Sequence, residues 1–236
     1  MPMHILQTLV LGAVEGLTEF LPISSTAHLM MASRLMSLID NDFLKTFEIV
    51  IQFGAILAIV TLYWSRMSAL RAVWTKILAA FIPTGIIGLI LYKLFKDFLG
   101  NNTLAVWALG IGGALLILFE IFHKDKQPTQ ESLAELSGMS YTKAVMIGLA
   151  QAISIIPGVS RSAATIVAGR ALGVSRAAIV EFSFLLAVPT MAAASGYELI
   201  KSSPHLETGQ YGLLFVGLVT AFITAYFSAR WFLSYV

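Results

Sequence analysis

Residues 15–28 read EGLTEFLPISSTAH, and this stretch decides the fold. It places two glutamates, a proline and a run of hydroxyl side chains inside an otherwise apolar segment, which resumes only over residues 27–39. The apolar pieces on either side are shorter than the roughly 20 residues that a bilayer crossing needs. We therefore expect residues 3–39 to form a re-entrant helical hairpin, which enters the membrane and returns to the same side.

The composition supports a membrane environment. Of the 236 residues, 58% are hydrophobic and 12% are charged, whereas soluble domains have roughly 45–50% apolar and about 25% charged residues. The absence of cysteine excludes disulfides, thiolate metal sites and cysteine nucleophiles. A net charge of +2 gives no reason to expect nucleic acid as a partner. Because Glu15 and Glu19 interrupt the apolar N-terminus and no basic segment precedes it, we do not expect a cleaved signal peptide.

Five further apolar segments are long enough to cross a membrane. They occupy residues 43–64, 73–95, 103–122, 175–199 and 210–234. The polar segment 123–140 reads HKDKQPTQESLAELSGMS and is predicted to lie outside the membrane. The chain is thus predicted to be a single membrane domain over residues 1–236, an all-α polytopic protein with about five full transmembrane helices.

A second broken segment resembles the first. The apolar residues 141–156 end at Pro157-Gly158-Val159-Ser160-Arg161-Ser162, after which a short helix is expected, giving a second re-entrant hairpin over residues 141–173. Its residues align with those of the first hairpin as follows: Gly12 to Thr18 with Gly148 to Ser154, then Pro22, Ser24, Thr26 and Ala27 with Pro157, Ser160, Ser162 and Ala163. An internal duplication explains the match, although apolar helices also align by chance.

The duplication predicts an inverted-topology repeat. The first repeat, 1–122, contains three full spans after its hairpin, so the second, 141–236, begins on the opposite side of the membrane. The second repeat has one span fewer than the first and lacks the expected last helix. The slight excess of Lys and Arg on one side assigns that side to the cytoplasm: Arg66, Arg71, Lys76, Lys124, Lys126 and Lys143, against Lys45, Lys93, Lys96 and Lys201. The first hairpin then enters from the outer face.

Ionisable residues within a membrane are costly and generally mark function. Glu15 and Glu19 lie four residues apart and therefore on one face of a helix. Two carboxylates so close repel each other unless a divalent ion, an arginine or a shared proton lies between them. Oxygen ligands of this kind suit Mg²⁺ or Ca²⁺. A solvated or helix-capping pair is the alternative.

Ser24, Ser25, Thr26 and His28 follow the two glutamates. Ser25 and His28 are three residues apart at the start of a helix, so the hydroxyl and the imidazole are expected to meet, as in a nucleophile with its base. The imidazole attacking phosphorus itself is a second possibility. The third is structural: the hydroxyls cap the helix and His28 is a polar interface residue.

The second break supplies positive charge. Ser160, Arg161 and Ser162 open a helix, with Thr165 one turn further on, and such a helix N-terminus is a phosphate site. Gly158 would let the backbone approach the anion. We expect Glu48 and Glu181 to stabilise the hairpins through hydrogen bonds, and Arg170 and Arg176 to be interfacial or snorkelling residues. Acids and a hydroxyl–imidazole pair facing a cationic helix end suit phosphoryl transfer from a metal-bound diphosphate.

These stretches resemble the bacterial undecaprenyl-diphosphate phosphatase family, UppP/BacA, which is linked to bacitracin resistance. The resemblance rests on residues 15–28, on residues 157–165 and, more weakly, on Lys45-Thr46-Phe47-Glu48 with Gln52. It implies removal of the terminal phosphate from undecaprenyl diphosphate, which regenerates the lipid carrier for peptidoglycan synthesis, in the bacterial inner membrane with the site open to the outer face.

The resemblance also implies roles for individual residues. Glu15 and Glu19 would position the divalent ion, and Ser25 with His28 would provide the nucleophile and its partner. Arg161 would hold the diphosphate, helped by other residues of the two breaks: Ser24, Thr26, Gly158, Ser160, Ser162 and Thr165. Ala163 departs from the glycine usual in the family. The family also continues through one more helix, so the uncovered helix face would meet lipid or a second copy in a homodimer.

A transporter or flippase of a polyprenyl phosphate is the main alternative function, because inverted repeats with broken helices are a transporter architecture. A structural scaffold would leave the intramembrane charges without a purpose.

Overall fold

The computed structural model describes residues 3–39, 41–64, 71–95, 102–123, 131–202 and 209–235. These residues form ten α-helices and, between the seventh and eighth, a 3₁₀ turn over Ala152–Ile155. The helices are α1 (Ile5–Thr18), α2 (Ser25–Leu35), α3 (Asp42–Tyr63), α4 (Arg71–Phe95), α5 (Asn102–Phe122), α6 (Ser132–Gly138), α7 (Tyr141–Gln151), α8 (Arg161–Ala171), α9 (Arg176–Ser202) and α10 (Gln210–Tyr235). Several residues used above for orientation lie outside the described ranges: Arg66, Lys96, Lys124 and Lys126.

Five of the described helices, α3, α4, α5, α9 and α10, are long and apolar enough to cross a membrane. Their bounds agree closely with the five segments predicted from the sequence. The prediction of an all-α, multi-pass membrane protein is therefore confirmed. One detail was missed, since the segment 123–140 contains the short helix α6.

Four shorter helices form two pairs around the two breaks. Helix α1 has 14 residues and α2 has 11, while α7 and α8 have 11 each. At 1.5 Å per residue, these helices span only about 17–21 Å, less than the hydrocarbon thickness of about 30 Å. Within each pair the helices contact each other, α1 with α2 and α7 with α8. Their re-entry into the membrane stays a prediction.

The packing brings the two halves of the chain together at the centre. Helix α3 contacts α9, α10 packs against α1, and α4 packs against α7. Glycines allow α1 to approach α10 closely and α7 to approach α4 closely. A Cβ added at Gly12 would lie 2.8 Å from the Gly217 carbonyl oxygen of α10, and a Cβ added at Gly148 would clash with the Ala80 carbonyl of α4. Gly12 and Gly148 are equivalent in the predicted duplication. Both halves therefore share this contact, while their inverted relation stays a prediction.

Helix α5 lies along the edge of this bundle, in contact with α2 and α8. Most of its surface is exposed and carries large apolar side chains: Val106, Trp107, Ile111, Leu115, Ile117, Leu118, Ile121 and Phe122. An exposed apolar surface of this size suits contact with lipid or with another membrane protein. The homodimer expected from the sequence stays a prediction.

Candidate active site

Glu19 lies at the centre of the site, one residue after the end of α1. Its side chain is buried. Oε1 accepts a hydrogen bond from Arg161 Nη2 at 3.1 Å, and Oε2 accepts one from the Ser25 hydroxyl. A single carboxylate therefore joins the first break to the second.

The backbone at Ser24 explains how Ser25 reaches Glu19. Ser24 has φ 61° and ψ 90°, a conformation that residues other than glycine adopt rarely and at a cost of about 1–3 kcal/mol. Helix α2 begins at the next residue, and both serines are buried. Ser24 makes no side-chain capping bond to α2, which argues against the capping alternative for this residue. Strain of this kind is found where the surrounding structure fixes a functional group in place.

His28 does not form the predicted contact with Ser25. Its Nδ1 lies 2.8 Å from the Ser24 carbonyl oxygen, one turn earlier on the same helix. A carbonyl can only accept, so Nδ1 carries the proton and the neutral ring has its lone pair on Nε2. The Ser25 hydroxyl bonds Glu19 instead, because a carboxylate is the stronger acceptor. The pairing inferred from the three-residue spacing is thus corrected to Ser25 with Glu19.

Glu15 is the most unusual side chain of the site. It is fully buried in α1, and neither carboxylate oxygen accepts a hydrogen bond from the described residues. The charged groups that act on it are Glu19 and Glu48, which repel it, and Arg161, which attracts it. An isolated buried carboxylate is costly, so these orphaned oxygens fit a cation or a donated proton. Within the described ranges no group of three or more acidic or histidine side chains surrounds a common point.

The second break contacts the first directly. Ser160 caps α8 by accepting from the Ala163 N–H at 3.2 Å, and its hydroxyl lies 3.0 Å from that of Ser162. Ser162 in turn donates to the Leu21 carbonyl at 2.8 Å, which places the start of α8 against residues of the first break. Gly158 has φ 94°, and an added Cβ would clash with the backbone of Ala105 in α5. Position 158 must therefore be glycine for α5 to pack this closely, and its role in binding phosphate stays a prediction.

Arg161 is held from two sides. Besides Glu19, it donates from Nη1 to the Ser183 carbonyl of α9 at 3.0 Å. Its side chain is 12% exposed, and Nε is buried without a partner among the described residues. The fixed guanidinium thus retains an unused donor inside the site.

Two predicted phosphate-binding residues, Thr165 and Thr26, do not take part in the contact between Arg161 and Glu19. The hydroxyl of Thr165 is buried 2.7 Å from that of Ser183, so it joins α8 to α9. Thr26 is exposed on the first turn of α2. The roles of both in binding phosphate stay predictions.

Glu48 and Glu181 were expected to stabilise the hairpins through hydrogen bonds, and Glu48 does so. It accepts from Ser33 of α2 at 3.0 Å and so supports the first hairpin. Glu181 accepts from Ser132 of α6, which is outside the second hairpin.

The prediction that Arg170 is a snorkelling side chain is wrong, whereas its place at the membrane interface stays a prediction. Its side chain is buried, and it pairs with Glu120 and donates to the His123 carbonyl at 3.0 Å. Arg176 also pairs with Glu120, but from a more exposed position. Both arginines are far from Glu120 in the chain, so neither contact could be predicted from the sequence.

Comparison with known proteins gives one consistent picture. The family model described as bacitracin resistance protein BacA matches residues 8–236. A protein of Aquifex aeolicus named undecaprenyl-diphosphatase is 46% identical over 97% of this chain and 88% of its own length. Proteins of the same name from Wolinella succinogenes and Thermus thermophilus are 45% and 44% identical, over 99% and 98% of this chain and 90% and 88% of their own lengths.

Proposed function

The chain belongs to the bacitracin resistance protein BacA family, and we propose that it removes the terminal phosphate from undecaprenyl diphosphate, a lipid substrate that reaches the site from the membrane. The named activity of relatives 41–46% identical supports this function. Hydrolysis would regenerate the lipid carrier for peptidoglycan synthesis and so underlie bacitracin resistance. The observation that carries the proposal is the buried Glu19 carboxylate, which is shared by the Ser25 hydroxyl and the Arg161 guanidinium.

In the first step, Ser25 Oγ attacks the terminal phosphorus and its proton passes to Glu19. The bond between this phosphorus and the bridging oxygen breaks, and undecaprenyl phosphate leaves. A hydroxyl hydrogen-bonded to a carboxylate, which a third group orients, is the general arrangement of an activated nucleophile. Arg161 is that third group, because it contacts the second oxygen of Glu19.

In the second step, water attacks the phosphoserine. Ser25 Oγ recovers its proton from Glu19, and orthophosphate is released. His28 is suited to take the proton of the attacking water, since its Nε2 carries the lone pair when Nδ1 donates to the Ser24 carbonyl. A phosphohistidine formed by attack from Nε2 is the alternative.

Arg161 and the first turn of α8 hold the diphosphate. The guanidinium is anchored by Glu19 and the Ser183 carbonyl, so little side-chain entropy is lost when it binds an anion. The free Nε–H and the N-terminus of an 11-residue helix both favour negative charge. Preorganised donors of this kind also stabilise the charge that develops in the transition state.

A divalent cation fits Glu15. Its two orphaned oxygens offer the acidic ligands that Mg²⁺ or Ca²⁺ prefers, whereas both oxygens of Glu19 already accept hydrogen bonds. When bound, such an ion would neutralise charge on the diphosphate. Mg²⁺ commonly takes only one or two carboxylates from the protein and completes its shell with substrate phosphates and water. Glu15, with Glu19 beside it, would therefore hold an ion that arrives with the substrate.

The site is proposed to open to the outer face of the bacterial cell membrane, as the distribution of Lys and Arg indicates. The deciding experiment measures phosphate release from undecaprenyl diphosphate by the purified chain in detergent, with Mg²⁺ or Ca²⁺ and with chelator. We expect cation-dependent release. Arg161→Ala should reduce it at least about a hundredfold, as the loss of one preorganised donor does, and Ser25→Ala, which removes the nucleophile, should reduce it by at least as much.

The matched control is Ser234→Ala, which removes an exposed hydroxyl whose partner within the described ranges is the Trp231 carbonyl of its own helix, and it should leave the rate unchanged. Release that persists in Ser25→Ala, His28→Ala and Arg161→Ala would overturn the assignment of the site. No release from the folded wild-type chain would overturn the function and favour a transporter.

A further inference from the structure

Three helices meet at the buried side chain of Gln151, the last residue of α7. Its Nε2 donates to the Thr84 hydroxyl of α4 at 3.3 Å and to the Thr190 hydroxyl of α9 at 3.2 Å. Gln151 is 0% exposed. Both distances are at the long end for such bonds, but the Gln151 amide makes both at once, so it connects the second hairpin to the two long helices beside it.

The surrounding bonds fix the orientation of the amide. The Thr190 hydroxyl donates its proton to the Leu186 carbonyl at 2.7 Å, and the Thr84 hydroxyl donates to the Gly148 carbonyl, also at 2.7 Å. Each hydroxyl has one proton and can then only accept. The NH₂ group of Gln151 must therefore face both threonines, and its Oε1 is left buried without a partner among the described residues.

Both threonines follow a proline inside a helix, Pro83 in α4 and Pro189 in α9. A proline within a helix removes one backbone hydrogen bond and allows the helix to bend there. The Gln151 amide thus contacts α4 and α9 at the points where these helices are least constrained by their own backbones.

Pro189 matters for the site because Ser183 precedes it on the same helix. The Ser183 carbonyl accepts from Arg161, and its hydroxyl contacts Thr165. Helix α9 therefore holds the phosphate-binding end of α8 on one side of Pro189 and contacts Gln151 on the other.

We propose that Gln151 is a positioning residue for Arg161: by joining Thr84 to Thr190, it fixes α9 where Pro189 interrupts the helix, and hence the place where the Ser183 carbonyl meets the guanidinium. This inference rests on the proposed phosphatase function. Gln151 also occupies, in the predicted duplication, the position that Glu15 occupies in the first half. The neutral amide of Gln151 hydrogen-bonds two neighbouring helices, whereas the Glu15 carboxylate has no hydrogen-bond partner among the described residues and can bind a cation.

The test compares Gln151→Met, which keeps the length of the side chain but removes the amide, with the wild-type chain. Phosphate release and the thermal midpoint in detergent are measured for both. We expect kcat to fall about tenfold, less than the roughly hundredfold loss that a 1 Å misplacement can cause. KM should change less than kcat, because a displaced guanidinium still attracts the bound diphosphate but is misaligned for the charge that develops in the transition state. Thr190→Val should lower kcat in the same direction, and Thr190→Ser, which keeps the hydroxyl, should restore it.

Two comparisons separate positioning from simple stability. Thr8→Val removes another fully buried hydroxyl, which among the described residues donates to the carbonyl of nearby His4, and should lower the thermal midpoint without lowering kcat. In an Arg161→Lys background, Gln151→Met should add less than its own tenfold loss, because residues acting through one contact are not additive.

A normal kcat in Gln151→Met and Thr190→Val would overturn the proposal. So would a double variant, Gln151→Met with Arg161→Lys, whose loss in kcat equals the product of the two single losses. If Gln151→Met fails to fold, or Arg161→Lys retains no measurable rate, the Thr190→Val and Thr190→Ser pair decides alone. Absence of phosphate release from wild-type protein would instead count against the phosphatase function.

Discussion

Arg161 donates to the Glu19 carboxylate across 3.1 Å, and this largely buried ion pair joins the two breaks through residues that lie 142 positions apart in the chain. Neither break contains both charges. A site that depends on the pair can therefore form only when the two hairpins are packed against each other, so folding of the whole chain precedes activity.

The first prediction concerns the geometry of this pair. Arg161→Lys keeps the charge, but a lysine cannot reproduce the fork that reaches both Glu19 and the Ser183 carbonyl. We expect kcat/KM for phosphate release to fall about a hundredfold, with the protein still folded in detergent. Arg230→Lys, at an exposed position, is the matched control and should retain the wild-type rate. Equal rates for both variants would show that only the charge at position 161 matters.

The second prediction concerns the nucleophile. Because the Ser25 hydroxyl bonds Glu19, whereas His28 bonds the Ser24 carbonyl, the phosphoenzyme should be a phosphoserine. Quenching the reaction on labelled substrate should trap a label that is stable in acid and absent from Ser25→Ala. His28→Ala should still accumulate it, because the first step proceeds without the imidazole while the second slows. An acid-labile label that survives Ser25→Ala would identify His28 as the nucleophile instead.

Much of the fold could be predicted because it depends on properties local in the sequence. The lengths of apolar segments identified the five long helices, and the polar breaks at Pro22 and Pro157 identified the two short pairs. The duplication also predicted that the two broken segments meet, and the contact between Glu19 and Arg161 joins them. That these two charges pair with each other was not predicted, because Arg161 was assigned to the diphosphate.

What could not be predicted depends on tertiary contacts or on an unusual backbone. A three-residue spacing suggested that Ser25 meets His28, but the positive φ of Ser24 precedes the helix and the hydroxyl reaches Glu19 instead. Ser183 takes part through a backbone carbonyl, which every residue has, so its identity gives no signal in the sequence.

The third prediction treats Glu15 as a carboxylate kept for function at a cost in stability. Its carboxylate is fully buried beside Glu19 and Glu48, so a neutral amide, which has no charge to desolvate or to be repelled, should stabilise the folded chain by about 1–3 kcal/mol. In chelator, Glu15→Gln should raise the thermal midpoint while abolishing phosphate release at any cation concentration. Glu181→Gln is the matched control, since this buried glutamate accepts from Ser132 and gains nothing from neutralisation. A midpoint that falls in Glu15→Gln would mean that the carboxylate is satisfied in the folded protein.

The fourth prediction tests the close contact of α7 with α4. A Cβ added at Gly148 would clash with the Ala80 carbonyl, which is backbone and cannot turn aside. Gly148→Ala should therefore force the helices apart and destabilise the protein by about 1–3 kcal/mol, seen as a lower thermal midpoint in detergent. The matched control is Gly112→Ala in α5, where an added Cβ meets nothing within 4 Å. Because alanine is the better helix former by about 1 kcal/mol, this control should keep or raise the midpoint. If both variants lower it equally, the loss does not come from helix packing, and the close approach at Gly148 is not what fixes α7 against α4.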